Sequence, residues 1–272
     1  MDKAQHDYEV IFINVGQGDA SIIRQLPNMH AVLIDAAVGN TVLSILRETD
    51  KLQAIFVTHW DKDHIGGMPA VINWLSNQNQ KEVKVFINLQ YASTDIARKF
   101  RRTLDEAHEE RTIVFKSACN DLQEQVEIID GKFSILWPPY AIVITHPDNR
   151  NLGSLILRFK VGAFDLLLGG DAGGDVWPRV DQTALKTDVF KYPHHGGELF
   201  TGENSWSADE LISKVNPDWI IVSVGANNPH GHPSEEFIDA QSSHPNIQFL
   251  DTTEGNINLQ IKSSTGHIRM RQ

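Results

Sequence analysis

The stretch Thr58-His59-Trp60-Asp61-Lys62-Asp63-His64-Ile65-Gly66-Gly67 constrains the fold of this chain more than any other segment. Two histidines and two aspartates fall within six residues, directly after the apolar run Ala54-Ile55-Phe56-Val57. That run predicts a buried strand, and the apolar spacing from Met68 to Leu75 predicts a helix after the glycine pair. Imidazole and carboxylate ligands together suit zinc, manganese or iron. The sequence therefore predicts a metal site where this strand turns into a helix; the alternative is a polar turn without a metal.

The order His-x-Asp-x-Asp-His-x-Gly-Gly over residues 59–67 resembles the signature of the metallo-β-lactamase superfamily, in which histidine more often occupies the position of Asp61. The form with aspartate is similar to the hydrolase domain of bacterial DNA-uptake (competence) channels. Five further segments follow in the family's order and extend the resemblance over nearly the whole chain: Val15-Gly16-Gln17-Gly18-Asp19-Ala20, Leu33-Ile34-Asp35, Gly169-Gly170-Asp171, His194-His195-Gly196-Gly197 and Gly231-His232-Pro233.

The wider pattern predicts a mixed α/β fold, a four-layer αββα sandwich of two β-sheets faced by helices. Strands and helices alternate with antiparallel turns in two similar halves, and no linker divides them, so we predict one domain over residues 1–272. Residues Ser93–Glu109 form the clearest amphipathic helix. We also expect a helix capped by Asn40-Thr41, a loop over Tyr140–Leu152 and a helical stretch before Leu185.

Charge and cysteine content exclude some classes of protein. With 35 acidic and 24 basic residues the formal charge is −11, so this is not a basic coat for nucleic acid, and contact with phosphates needs local patches or bound cations. The cluster Arg98-Lys99-Phe100-Arg101-Arg102 is most simply a solvated helix face. The single Cys119 excludes an internal disulfide and favours the cytoplasm. We see no signal peptide and no apolar run of about 18 residues, so we expect no membrane contact. The resemblance implies the soluble hydrolase without the channel.

The resemblance also implies a ligand set for two divalent metal ions. In the family, the first metal takes the residues matching His59 and Asp61, and the second takes those matching Asp63 and His64. Asp171, after an apolar strand, matches the carboxylate that bridges both metals. Asp35 matches a carboxylate bonded to a ligand or to the signature loop, and Asp19 lies in a turn close to the site.

Three more histidines are candidate functional residues. Successive residues at a strand end point in opposite directions, so His194 and His195 should not bind the same metal. We favour His195 as a ligand of the second metal, since it adjoins the glycine pair, and expect His194 to contact substrate or the ligand shell; the sequence leaves this choice open. His232 matches a family position near the open face of the metals, and we expect it to contact substrate or the transition state.

The chain departs from the wider superfamily where a third histidine would complete the first metal site. The segment 148–154 reads Asp-Asn-Arg-Asn-Leu-Gly-Ser and contains no histidine. Asn151 and Ser154 match the competence-type pattern instead, and His146 is expected to be an exposed loop residue. With Asp61 also replacing a histidine, the first site is rich in oxygen, which favours manganese or magnesium over zinc.

These observations favour a hydrolase in which a metal-activated hydroxide attacks phosphorus. Its catalytic residues would be Asp63, Asp171, His194 and His232, and the resemblance implies phosphodiester cleavage in DNA, RNA or a nucleotide. Two alternatives stay open: hydrolysis of a lactone, β-lactam or thioester, and a metal-binding or partner-binding module that has lost turnover. The natural substrate, the oligomeric state, the pathway and any protein partner are not visible in the sequence.

Overall fold

The computed structural model describes residues 7–88, 90–91, 93–122 and 125–271. These residues form two β-sheets, and the first has the strand order β15-β14-β1-β2-β3-β4-β5-β6. Its strands are β1 Tyr8–Phe12, β2 Ser21–Gln25, β3 His30–Ile34, β4 Lys51–Phe56, β5 Val83–Ile87, β6 Ile113–Ser117, β14 Ile257–Lys262 and β15 His267–Met270.

The second sheet has the order β13-β12-β11-β10-β9-β8-β7. Its strands are β7 Gln125–Ile128, β8 Gly131–Trp137, β9 Ile156–Val161, β10 Phe164–Leu168, β11 Val189–Lys191, β12 Trp219–Val222 and β13 Gln248–Asp251. The helices are α1 Gly39–Leu46, α2 Lys62–Ile65, α3 Met68–Asn77, α4 Asp95–Glu109, α5 Tyr140–Thr145, α6 Ala208–Val215 and α7 Glu235–Ser243.

Alternation along the strands builds four layers. In β1, Val10 and Phe12 point between the two sheets and pack with Phe133 and Phe159 of the second sheet. Ile11 points the other way, into the core that helices α1, α3 and α4 share with the first sheet. A third core lies between the second sheet and helices α6 and α7. The predicted αββα sandwich is thus confirmed. It forms because side chains that alternate with period two along the strands supply an apolar face to each layer.

Parallel pairing brings the site together. Strands β3 to β6 pair in parallel in the first sheet, and β10 to β13 do so in the second. Loops that follow parallel strands leave from the same edge of a sheet. The loop after β4 of the first sheet and the loops after β10 and β11 of the second meet at one end of the sandwich. There, Leu155 N–H donates to the Thr58 carbonyl at 3.0 Å, and His194 N–H donates to the Gly170 carbonyl at 3.0 Å.

Several local predictions need correction. Val38 precedes α1 without a side-chain cap, so Asn40 and Thr41 lie inside the helix. Residues 140–145 form the helix α5 in place of the predicted loop, and the stretch before Leu185 holds two short 3₁₀ turns. The helix predicted over Ser93–Glu109 is confirmed as α4, where the Thr94 hydroxyl accepts a hydrogen bond from Ala97 N–H.

No helix within the described ranges is both long and apolar enough to span a membrane. That one domain covers residues 1–272 stays a prediction.

Candidate metal centre

His64 is held in one orientation by a buried carboxylate. Its Nδ1 lies 2.8 Å from Asp35 Oδ2, and Asp35 also accepts hydrogen bonds from the Thr58 backbone N–H at 2.8 Å and hydroxyl at 2.6 Å. Asp35 was predicted to bond a ligand or the signature loop, and it contacts both. Because Nδ1–H donates to Asp35, Nε2 is free to coordinate a metal. This Nε2 lies 3.1 Å from Asp171 Oδ1.

His195 is oriented in the same way by a backbone group. Its Nδ1 donates to the Ser223 carbonyl at 2.9 Å, which directs Nε2 toward Asp63 Oδ2 at 3.3 Å. His195 is buried, whereas the Asp63 side chain is partly exposed at the edge of a cleft. Burial raises the pKa of Asp63, but the hydrogen bond to His195 and the charge of His64 outweigh it and lower that pKa to about 2.

His59 lies on the other side of Asp171. Its Nε2 is 3.6 Å from Asp171 Oδ2 and 3.5 Å from Asp61 Oδ2. Its Nδ1 lies 3.1 Å from the Thr58 hydroxyl and 3.4 Å from the Ser154 hydroxyl. Ser154 is therefore behind the His59 ring, on the side away from Asp171 Oδ2.

Asp171 lies between these groups. Its Oδ1 faces His64, while its Oδ2 faces His59 and lies 3.7 Å from His195 Nε2. Burial raises the pKa of Asp171, but the charges of His64, His195 and His59 hold it well below the usual value. For His64, burial lowers the pKa, but the carboxylates of Asp171 and Asp35 outweigh this effect and hold the pKa well above 6.5.

The donor set fits a metal ion. Among the buried polar atoms without a hydrogen-bond partner in the described part of the chain, four belong to this cluster: Nε2 of His59, His64 and His195, and Oδ1 of Asp171. Ligands about 2.0–2.2 Å from one ion are roughly 3.4 Å apart at a tetrahedral angle. The separations of 3.1 to 3.7 Å between these imidazoles and carboxylates are of that size. A cation would therefore satisfy atoms that the protein leaves unpaired.

His194 and His195 diverge, but not for the predicted reason. Strand β11 ends at Lys191, and both histidines lie in a short turn with left-handed φ values of 52° and 56°. This turn, and not alternation along a strand, separates their rings by 6.5 Å. His194 is only half-buried and lies 5.6 Å from the ring of His232.

His194 and His232 line a cleft of about 540 Å³ together with Asp61, Asp63, Asn151 and Asp171. Burial, reinforced by the neighbouring histidines, lowers the pKa of His232 to about 4. Burial also lowers the pKa of His194. The cleft thus presents two neutral imidazoles beside the buried cluster at pH 7.

Asp19 is tied to the site by backbone packing and by a lysine. Its N–H donates to the Asp63 carbonyl at 2.9 Å, and a Cβ on Gly18 would lie 2.5 Å from the same oxygen, so only glycine fits there. The buried Lys191 Nζ lies 2.7 Å from Asp19 Oδ1. Lys191 was not among the predicted site residues, although a lysine inside the otherwise apolar run Val189-Phe190-Lys191-Tyr192 is the signal that could have identified it.

Arg150 was also missed. Its Nη1 pairs with Asp61 Oδ1, and its Nη2 donates to the Ser93 hydroxyl at 2.7 Å. It occurs in the segment that lacks the third histidine. Because Asp61 replaces a neutral histidine with a carboxylate, a balancing cation is expected nearby, and this expectation could have identified Arg150 from the sequence.

Other predicted positions lie apart from the cluster. His146 is exposed, and its ring contacts the Thr145 hydroxyl. In the basic cluster of α4, Arg98 and Arg101 pair with Asp95 and Asp105 of the same helix.

Comparisons with known proteins agree with this geometry. Residues 13–112 match the family described as the metallo-beta-lactamase superfamily. The chain is 26% identical over 253 residues to ComE operon protein 3 of Bacillus subtilis and 28% identical over 235 residues to Recombination protein 2 of Haemophilus influenzae. These alignments cover 85% and 83% of this chain but only 30% and 25% of the relatives. The short form of human tRNase Z has a similar fold, with a TM-score of 0.51 at 14% identity over 92% of this chain and 98% of that one.

Two sheets covered by helices, with a buried His/Asp cluster where their loops meet, define the fold of a metal-dependent hydrolase. Residues 13–112 are similar to the metallo-β-lactamase superfamily domain, and the chain is similar in sequence to part of the two bacterial proteins above.

Proposed function

We propose that this chain is a metal-dependent phosphodiesterase whose substrate is a nucleic acid or a nucleotide. The observation that carries the proposal is the convergence of three buried Nε2 atoms on Asp171, each on a ring whose Nδ1 lies against another polar group. Rings fixed in this way are prepared to bind a cation at the floor of an open cleft.

The two sides of Asp171 offer two sets of ligands. Asp63, His64 and His195 would hold an ion on one side, and His59 with Asp61 would hold one on the other. A bound divalent ion would lower the pKa of a water and offset the charge of phosphoryl oxygens. Because these ligands include several carboxylates, we propose that manganese restores activity better than zinc.

The remaining residues of the cleft would handle the substrate. The low pKa of Asp63 keeps its carboxylate ionised at pH 7, and Asp171 is held in the same state. His194 and His232 are neutral, so either can accept a proton from water or donate an N–H to a phosphoryl oxygen. Lys62 also lines the cleft and adds a positive charge for an anionic substrate.

The choice of a phosphodiester rests on the sequence resemblance to competence-type hydrolases, with Recombination protein 2 and a tRNase among the similar proteins. A cytoplasmic location is proposed on the single cysteine, Cys119, which is buried as a free thiol.

The test is a substrate panel after chelation and reloading with manganese, zinc or magnesium. We expect turnover of a bis-aryl phosphodiester, best with manganese, and little hydrolysis of nitrocefin or a thioester. Preferred cleavage of nitrocefin or the thioester would replace the proposal with carboxyl-type hydrolysis. Metal uptake without turnover of any substrate in the panel would favour a binding module.

A further inference from the structure

The guanidinium of Arg150 occupies one edge of the metal centre. Its Nη1 pairs with Asp61 Oδ1, its Nη2 donates to the Ser93 hydroxyl at 2.7 Å, and the same nitrogen lies 3.5 Å from the Tyr91 carbonyl. The Arg150 side chain is 15% exposed, whereas that of Asp61 is 38% exposed. Arg150 is thus fixed by groups outside the centre while it holds a residue of the centre.

The two sides of Asp171 are unequal for this reason. Asp63, His64 and His195 offer ligand atoms that all lie within 4.8 Å of one another. On the other side, His59 forms a similar group with His64 and Asp171, but within the described residues Asp61 is in no such group, and its charge is already balanced by Arg150. Ser154 does not add a ligand there, because its hydroxyl accepts a hydrogen bond from Asp171 N–H at 2.8 Å and lies behind the His59 ring.

We propose that Arg150 controls occupancy of the first side of the centre by competing with the metal for Asp61. The centre then holds one ion tightly, on Asp63, His64, Asp171 and His195. An ion on His59 and Asp61 Oδ2 binds weakly while Arg150 holds Asp61 Oδ1, because a guanidinium fixed on the same carboxylate repels a divalent cation. The inference rests on the metal-binding part of the proposed function and not on the identity of the substrate.

The test compares manganese stoichiometry in the native chain and in Arg150→Met, which keeps an apolar stem but removes the charge. We expect native protein to retain one manganese per chain after dialysis and the variant to retain two, measured by plasma mass spectrometry. Titration calorimetry should show the weaker site tightening by about tenfold or more. Asp61→Asn added to Arg150→Met should return the count to one.

Arg98→Met is the matched control, since Arg98 donates to the Ser93 carbonyl on the same segment but has no contact with Asp61 among the described residues. Far-UV circular dichroism checks folding of each variant. The inference would be overturned by two equal manganese sites in the native chain. It would also be overturned if Arg150→Met had the native stoichiometry and affinity, or if either protein failed to bind manganese. A chain that binds metal in this pattern but cleaves no phosphodiester would refute the proposed function alone.

Discussion

Lys191 Nζ lies 2.7 Å from Asp19 Oδ1 and 2.8 Å from Asp19 Oδ2, and both side chains are buried. Asp19 belongs to the turn after β1 in the first sheet, and Lys191 ends β11 in the second. Burial raises the pKa of Asp19, but the ammonium of Lys191 outweighs it and keeps the pKa below its usual value. The pair therefore joins the two halves of the chain next to the metal centre, since a carboxylate oxygen of Asp19 lies within 4.8 Å of ligand atoms of Asp171 and His195.

Removal of the lysine should destabilise the fold. Lys191→Met leaves the Asp19 charge buried without its partner, which typically costs about 3–5 kcal/mol. Urea unfolding of the metal-free protein measures this loss. Lys160→Met is the control, because Lys160 is 54% exposed in its pair with Asp165 and should change the free energy of unfolding by less than about 1 kcal/mol. Equal stability of the two variants would mean that the buried pair has no structural role.

Asp171→Asn should abolish metal binding and turnover while the fold is retained. The substitution keeps the size of the side chain but removes the charge that faces His59, His64 and His195. Metal content and phosphodiester turnover should fall together. Asp175→Asn is the control, since Asp175 is 47% exposed and pairs with Arg179. Native metal content in Asp171→Asn would show that the shared ligand lies elsewhere.

The two adjacent histidines should separate on mutation. His195→Ala removes a buried Nε2 beside Asp63 and should lower metal content and rate together. His194→Ala removes a half-buried ring in the cleft, so it should spare the metal and slow turnover by about 10²–10⁴-fold. Metal analysis and kinetics on both variants decide the assignment. Loss of metal from His194→Ala alone would reverse the two roles.

Gly67→Ala should destabilise the signature loop without altering its ligands. A Cβ at Gly67 would lie 2.2 Å from Gly39 N, where the start of α1 packs against the turn. Relief of such overlap requires a backbone shift, which typically costs about 1–3 kcal/mol. Gly173→Ala is the matched control, because its Cβ would approach only the flexible Asp175 carboxylate, at 3.0 Å. Thermal unfolding of both variants measures the difference, and equal melting temperatures would contradict the packing argument.

Metal-free protein should lose stability as the pH rises above neutrality. The carboxylate of Asp171 raises the pKa of both His64 and His195 above 6.5 against the opposing effect of burial. A raised pKa in the folded state contributes stability that is complete below the unfolded pKa and disappears as the pH passes through the folded pKa. His194 and His232 have lowered pKa values, so they reduce the stability of the folded state only as the pH falls below about 6.5.

Urea unfolding of the metal-free chain at pH values rising from about 6.5 should therefore show a falling free energy of unfolding. The double variant His64→Gln/His195→Gln is the control and should show a flatter dependence. Metal binding near pH 7 should release protons, because both imidazoles must lose them to coordinate. A free energy of unfolding that stays constant or rises over this range would contradict these pKa shifts.

The strand, turn and helix around the metal-binding signature could be predicted from the sequence because the residues that define them are adjacent in the chain. Apolar residues before Thr58 and a glycine pair after His64 mark a strand, a turn and a helix without reference to the rest of the chain. Amphipathic spacing identified α4 for the same reason. Prediction failed at residues 140–145, an apolar helix with no buried residue, because an element that packs against little leaves no contrast between two faces.

The sequence by itself determined the alternation that builds four layers and the residue types able to bind a metal. Only the tertiary structure decided which atoms meet. Asp171 lies beside His59, His64 and His195 because the loop after β4 of the first sheet and the loops after β10 and β11 of the second meet at one end of the sandwich. Arg150 reaches Asp61 across 89 positions and Lys191 reaches Asp19 across 172. Periodicity reports on neighbours a few positions apart, whereas pairings of this separation depend on how the two sheets pack.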